Sequence, residues 1–206
     1  MKYRIVLLEQ LKSQPFFEKG AVRQLGEQYG LKSTTIDAYI SQTIRRKEIL
    51  PLRKGLYVSA DFYHSHKADV SYSFYLANIL RRPSYVSSWT ALQYYNLTTE
   101  VIHTTASVTA KVTREYKTKA GNFTYQSIKP GLFSGFTLER GKFDFFIASP
   151  SKALFDLLYF RTRQFRTMKL DTIDRLVAAL RIDLDEMGDR EQYAFHSLIR
   201  SHTHHD

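Results

Sequence analysis

The chain of 206 residues contains no cysteine, which excludes disulfides, thiolate zinc sites and cysteine nucleophiles. Proline and glycine are scarce, at 5 and 9 residues, and 43% of the residues are hydrophobic, so the composition argues against a disordered chain. No apolar run approaches the roughly 18 residues of a membrane-spanning helix. The apolar stretch near the start is too short for a signal peptide, because Glu9 interrupts it. We therefore expect a cytoplasmic protein.

Acidic residues are too few to balance the basic ones. The 30 Lys and Arg residues outnumber the 20 Asp and Glu residues, which gives a net charge of +10. Residues 1–60 hold 11 basic against 5 acidic residues, whereas residues 61–206 hold 19 against 15. The excess is therefore concentrated in the first 60 residues. This distribution favours a polyanionic partner that contacts the N-terminal part of the chain.

The stretch 32–58 contains the most informative pattern in the chain. Ile36, Ile40 and Ile44 recur at helical spacing and predict a helix over residues 34–47, with Ser33 as its N-cap. The opposite side of this helix carries short hydroxyls, one amide, one methyl group and one cation, which are groups that read base edges in a major groove. The residues of this outer side are Thr34, Thr35, Ala38, Ser41, Gln42 and Arg45.

The next residues predict a β-hairpin with a basic tip. Two short apolar stretches, residues 48–52 and 55–58, bracket Arg53 and Lys54. Two further helices are predicted earlier, over residues 3–12 and 19–29, so the order is helix, helix, helix, hairpin. This order is typical of a winged helix-turn-helix. A generic three-helix bundle with a hairpin is the alternative, but such a bundle gains nothing from a basic tip.

We therefore predict two domains in an α+β chain. Residues 1–60 form a winged helix-turn-helix DNA-binding domain, and residues 61–206 form a mixed α+β domain. A polar linker over residues 59–69 is expected to join them. The second domain is predicted to contain helices over 69–80, 89–95, 152–160, 172–181 and 189–200, and strands over 85–86, 101–110, 121–128, 135–138 and 142–148.

The predicted helix and hairpin suggest specific DNA contacts. Gln42 would pair with an adenine edge, Ala38 would touch a thymine methyl group, and Arg45 would reach a guanine or a phosphate. Arg53 and Lys54 would follow the backbone or enter the flanking minor groove. A phosphate would be held at the start of the helix, by the side chains of Lys32 and Ser33 and the backbone amides of Thr34 and Thr35.

A second basic cluster follows in the second domain. It has only Glu115 as a counter-charge, so it could form an additional nucleic-acid surface. A solvated loop face explains it equally well. The cluster consists of Lys111, Arg114, Lys117 and Lys119.

Several motifs, taken in their order along the chain, resemble the AbiEi family. These are RKGLYV at 53–58, YVSSWTALQYYNL at 85–97 and SPSKALFDLLY at 149–159. The stretches TAKVTR at 109–114 and GNFTY at 121–125 are also similar to that family. The resemblance runs from about residue 3 to about residue 180.

The resemblance implies an antitoxin and transcriptional autoregulator of a type IV toxin–antitoxin, or abortive infection, system for phage defence. In that family the winged domain binds inverted repeats in the promoter of its own operon, which implies two copies per operator. The second domain contributes to repression and is needed to counteract a nucleotidyltransferase-like toxin, without a stable complex between the two proteins. The family implies no cofactor.

Enzymatic patterns are poor, and we expect no enzyme, no catalytic residue and no metal. Asp183 and Asp185 form an Asp-x-Asp pair, but no Gly-Ser turn precedes them as a nucleotidyltransferase would need. Glu139, Lys142 and Asp144 are close in sequence, as in a metal-dependent nuclease, yet they fall on a predicted hairpin. Two alternatives therefore stay open. One is a nucleic-acid-processing enzyme targeted by the winged-helix domain, and the other is an antitoxin that binds its toxin directly.

Overall fold

The computed structural model describes residues 2–165 and 170–202, and within them the chain is α+β. It forms two compact units. The first consists of residues 2–72 and 116–122, and the second of residues 73–115 and the described residues from 123 onward. These compact units do not define domains, so the domain boundary at residue 60 stays a prediction. No helix in these described ranges has the length and apolar character needed to cross a membrane.

The first part of the chain contains the predicted helices and the predicted hairpin, with ends that differ by at most two residues. A three-stranded antiparallel sheet of order β1-β3-β2 accompanies the helices. The elements are α1 (Lys2–Leu11), β1 (Phe17–Glu18), α2 (Lys19–Gln28), α3 (Ser33–Arg45), β2 (Ile49–Arg53), β3 (Leu56–Ser59) and α4 (Ala60–His66).

An apolar core holds these elements together. Ile36 and Ile40 of α3 pack with Val22 of α2 and with Phe17 and Tyr57 of the sheet. Ile36 is fully buried, and burial of such a side chain contributes about 1.5–3 kcal/mol. The isoleucine spacing that predicted α3 is therefore the pattern of its buried side.

Two elements of this part depart from the sequence prediction. The two-residue strand β1 was not predicted, and it pairs with β3 so that Phe17 lies opposite Tyr57. The expected polar connection over residues 59–69 contains a helix, α4, that was not predicted. The Ser59 hydroxyl oxygen accepts a hydrogen bond from the Phe62 amide at 3.2 Å and caps the helix. The Phe62 ring stacks on His66 with centroids 4.1 Å apart, which gives the stretch its own apolar contact.

The remainder of the chain is organised around a six-stranded mixed sheet of order β6-β7-β5-β4-β9-β8. Strands β4 and β9 are parallel, whereas β4 with β5 and β8 with β9 are antiparallel. The strands are β4 (Ser84–Val86), β5 (Thr104–Thr109), β6 (Arg114–Thr118), β7 (Gly121–Ser127), β8 (Phe136–Glu139) and β9 (Phe145–Ala148). The helices are α5 (Val70–Leu80), α6 (Ser88–Tyr94), α7 (Pro150–Arg161), α8 (Leu170–Ala179) and α9 (Asp189–Arg200).

A buried polar cluster joins β4 to α7 inside the second unit. The Asp156 carboxylate lies 2.6 Å from the Lys152 ammonium and accepts hydrogen bonds from the hydroxyls of Ser87 at 2.7 Å and Tyr85 at 3.0 Å. All four residues are at most 3% exposed. Burial raises the pKa of Asp156, and Lys152 and the two hydroxyls oppose that rise. The stretches 85–97 and 149–159, which carry the family resemblance, therefore meet at this cluster.

Candidate nucleic-acid interface

Helix α3 presents its polar side to solvent. Its buried side consists of Ile36, Ile40 and Thr43, which are 0, 6 and 5% exposed. Positions 34, 38, 41 and 45 recur at helical spacing on the other side. Of the predicted contact residues in this stretch, Lys32, Ser33, Thr34, Ala38, Ser41 and Arg45 are exposed, and Thr35 and Gln42 are half-buried. The surface on which we predict base contacts is therefore open.

The start of α3 differs from the prediction in its cap. Ser33 is the first helical residue, and the N-cap is Lys32, whose extended backbone (φ −71°, ψ 146°) leads into the helix. The amide of Thr35 donates to the Lys32 carbonyl at 2.9 Å, so it is already occupied. The predicted phosphate contact therefore shifts to the amides of Ser33 and Thr34, beside the Lys32 ammonium.

The one acidic residue of α3 is neutralised by two cations of α2. The Asp37 carboxylate accepts hydrogen bonds from Arg23 at 2.8 and 3.3 Å and from Lys19 at 2.8 Å. The Arg23 guanidinium and then the Lys19 ammonium lower the pKa of Asp37. Sequence reasoning missed this triad, although Lys19 and Arg23 are spaced four apart on α2 and so lie on one side of it. The triad fixes α3 on α2 and leaves α3 without an unpaired negative charge.

A close approach between α2 and α3 depends on a glycine. A Cβ atom on Gly26 would lie 2.5 Å from Ile36 Cδ1 and 2.7 Å from Ile36 Cγ1, well inside van der Waals contact. Because Ile36 is fully buried, its side chain has little room to move away. Gly26 therefore sets the spacing of the two helices.

The tip of the β2–β3 hairpin is tied to the start of α2. Gly55 adopts a positive φ of 78°, a conformation that favours glycine, and its carbonyl accepts a hydrogen bond from the Lys19 amide at 2.8 Å. Arg53 and Lys54, which precede it, are both exposed. The hairpin thus holds two cations at a tip whose position relative to α2 is fixed by a backbone hydrogen bond.

The second basic cluster lies on and around an edge strand that we did not predict. Strand β6 has a neighbour on one side only, at the end of the six-stranded sheet, so the alternative of a solvated loop does not apply to residues 114–118. Arg114 and Lys117 belong to this strand, and Lys111 and Lys119 flank it. All four side chains are exposed. Their contribution to nucleic-acid binding stays a prediction.

Two of the acidic residues considered for catalysis, Asp144 and Asp183, have structural partners. The Asp144 carboxylate accepts a hydrogen bond from the Gly141 amide at 3.0 Å and lies 3.6 Å from the Arg140 guanidinium. The Asp183 carboxylate accepts from the Asp185 amide at 3.2 Å and so stabilises its own turn. Within residues 2–165 and 170–202, no group of three or more His, Asp or Glu side chains could hold a metal ion.

Neither a scan against protein-family models nor a search of curated proteins finds a match for this chain.

Proposed function

We propose that residues 1–60 form a winged helix-turn-helix and that the protein is a sequence-specific DNA-binding repressor. The supporting observation is the open side of α3, which ends in the Arg45 cation, together with the neutralisation of Asp37, the one acid within the helix. An ordinary solvated helix carries acids and bases together on its outer face. A face of short hydroxyls, a methyl group, an amide and a cation suits base edges and phosphates instead.

In this proposal α3 is the recognition helix and the β2–β3 hairpin is the wing. Gln42, Ala38 and Arg45 face the bases of the major groove. The start of α3 takes one phosphate, and Arg53 and Lys54 take others beside the groove. Each copy of the domain reads one half-site, so an inverted repeat takes two copies.

We further propose that the repressor is the antitoxin of a type IV system. This part rests on the likeness of residues 53–58, 85–97 and 149–159 to the AbiEi family. The repressor binds inverted repeats in its own promoter and counteracts a nucleotidyltransferase-like toxin without a stable complex. It carries out no catalytic step and uses no cofactor.

DNA protection tests the repressor proposal. DNase I footprinting on the double-stranded DNA upstream of the protein's own gene should show two protected half-sites related by a twofold axis. Their centres should lie one helical turn, about 10 base pairs, or a multiple of it apart. The protein concentration is raised until the whole DNA is protected uniformly. If no half-site is protected before that point, the repressor proposal is wrong.

Co-expression tests the antitoxin proposal separately. The protein, expressed from an unrelated promoter, should relieve growth arrest caused by the product of the gene beside its own. A tagged toxin should not retain it on a column. Failure of rescue contradicts the antitoxin role, whereas rescue with stoichiometric retention contradicts the type IV mechanism and supports direct binding.

A further inference from the structure

A cleft of about 380 Å³ opens in the second unit, and none of the residues to which DNA contacts are assigned lines it. Its walls come from α5, from residues 82–84 that follow it, and from the region of strands β8 and β9. This volume falls within the range of roughly 300–1,000 Å³ that is usual for small-molecule sites. It fits one ligand of the size of a nucleotide.

Aromatic rings form much of the cleft wall. The Phe136 ring lies edge-to-face against Phe146, with centroids 5.8 Å apart and planes at 89°, and Phe133 lies 5.2 Å from Phe136. The Phe146 side chain is 41% exposed, which is unusual for a phenylalanine in a sheet. A planar ring placed in the cleft would cover this exposed surface and gain stacking or edge-to-face contacts.

Two buried polar atoms in the wall lack partners. The Asn78 Oδ1 atom accepts a hydrogen bond from the Phe146 amide at 2.5 Å, which fixes the side-chain amide and leaves its Nδ2 group unused. Neither Asn78 Nδ2 nor Ser84 Oγ has a hydrogen-bond partner in the part of the chain that the structure describes. Both residues are more than nine-tenths buried, at 7 and 6% exposure. Buried donors are normally satisfied, so these two residues of the cleft lining favour a ligand that brings an acceptor to them.

One basic and one acidic residue, Arg82 and Asp144, line the cleft. Arg82 is exposed, and no carboxylate among the described side chains lies within ion-pair distance of it. Asp144, also exposed, lines the cleft and keeps acceptor capacity beyond its contacts with Gly141 and Arg140. A ligand that matches both must present an anion and one or more hydroxyl or amino donors, in addition to a flat ring.

We propose that this cleft binds a nucleoside monophosphate. The base lies among Phe133, Phe136 and Phe146, and its ring nitrogen or carbonyl accepts hydrogen bonds from Asn78 Nδ2 and Ser84 Oγ. The phosphate pairs with the Arg82 guanidinium, and the ribose hydroxyls donate to the Asp144 carboxylate. None of the residues of this site is assigned a DNA contact, and the nucleotide proposal does not rest on the repressor role.

Isothermal titration calorimetry of the full chain with AMP, GMP, CMP and UMP tests the site. At least one of the four should bind with one site per chain, and the matching nucleoside and inorganic phosphate should each bind at least tenfold more weakly. Arg82→Gln should weaken the nucleotide about tenfold or more and leave the nucleoside unchanged, because only the phosphate reaches this residue. No saturable binding of any of the four at millimolar concentration would overturn the proposal.

Matched variants separate the cleft from the rest of the surface. Ser84→Ala and Phe146→Ser should each weaken nucleotide binding, whereas Lys129→Gln and Val101→Ser, at exposed positions that do not line the cleft, should not. Circular dichroism establishes that each variant folds. Nucleotide binding that Arg82→Gln and Phe146→Ser leave unchanged would place the ligand elsewhere and contradict the assignment.

Discussion

The Asp37 carboxylate of α3 is held by the Arg23 guanidinium of α2 through two hydrogen bonds, of 2.8 and 3.3 Å. With Lys19 as the second cation, this pairing has two effects on the proposed interface. It attaches α3 to α2, and it neutralises the one acidic residue within α3, which would otherwise repel a phosphate at the proposed interface. Lys19, Arg23 and Asp37 therefore both hold the two helices together and remove a negative charge from the proposed interface.

The triad predicts a pH-dependent contribution to stability. Because the pKa of Asp37 is lowered in the folded protein, its contribution is present above the pKa of the unfolded chain, about 3.9, and is lost as the pH falls through the folded value. Asp37→Asn should lower the urea midpoint at pH 7. That difference should shrink progressively as the pH is lowered below about 3.9, in circular dichroism measurements on both proteins. A difference that does not change with pH would show that the charge is not responsible.

The close approach at Gly26 predicts a large effect from one methyl group. Gly26→Ala should destabilise the protein by about 1–3 kcal/mol, because the new Cβ overlaps the buried Ile36 side chain. It should also weaken DNA binding, since α3 must shift on α2. Gly20→Ala in the same helix is the matched control, because no atom lies within 4 Å of its Cβ position. The control should be neutral or stabilising by up to about 1 kcal/mol, as helix propensity dictates, and equal behaviour of the two variants would refute the packing argument.

Substitutions of Lys152 and Asp156, which form a buried ion pair, should have non-additive effects on the free energy of unfolding. Lys152→Met leaves the buried Asp156 carboxylate without its cation and should cost about 3–5 kcal/mol in the free energy of unfolding. Adding Asp156→Leu removes the uncompensated charge, so the double variant should regain much of that loss. Urea unfolding of the wild type, both single variants and the double variant gives the coupling energy. Additive losses would mean that the pair acts through packing alone.

Two classes of proposed DNA contact should separate by salt dependence. Arg53→Gln and Lys54→Gln each remove a phosphate contact, so each should lower the slope of log K against log salt by about 1 and weaken all sequences alike. Gln42→Ala removes a base contact and should cost about 1–3 kcal/mol on the operator only, with the slope unchanged. Fluorescence anisotropy over a salt series measures both. A changed slope for Gln42→Ala would place that residue on the backbone.

Local patterns predicted much of the fold. The spacing of Ile36, Ile40 and Ile44 gave α3. The helix predicted over residues 152–160 is α7, which begins two residues earlier at Pro150, and the Ser149 hydroxyl oxygen caps it by accepting from the Lys152 amide at 3.3 Å. These signals succeed because a helix buries one side and begins with a cap, and both properties are local in sequence.

What the sequence did not predict depends on contacts distant along the chain. Strand β1 has two residues, and it exists because Phe17 pairs with Tyr57, forty residues away. The Asp156 cluster joins an i,i+4 pair on α7, Lys152 and Asp156, to Tyr85 and Ser87. The two hydroxyl residues lie 71 and 69 residues from Asp156, and no spacing rule connects them to it. The same holds at the candidate interface, where the exposed residues of α3 followed from periodicity but the neutralisation of Asp37 by α2 did not.

Charge reversal tests directly whether the open side of α3 and the hairpin tip bind DNA. The triple variant Arg45→Glu, Arg53→Glu and Lys54→Glu lowers the net charge from +10 to +4, since each change removes two charges. A control with the same charge change reverses Lys129, Arg190 and Arg200, which are exposed elsewhere.

Fluorescence anisotropy with double-stranded DNA from upstream of the protein's own gene compares the two variants. Circular dichroism establishes that both fold. The first variant should lose DNA binding by a hundredfold or more, while the control should keep it within about threefold, since its charges lie outside the proposed interface. Equal binding by the two variants, whether retained or lost, would show that α3 and the hairpin tip do not form the DNA interface.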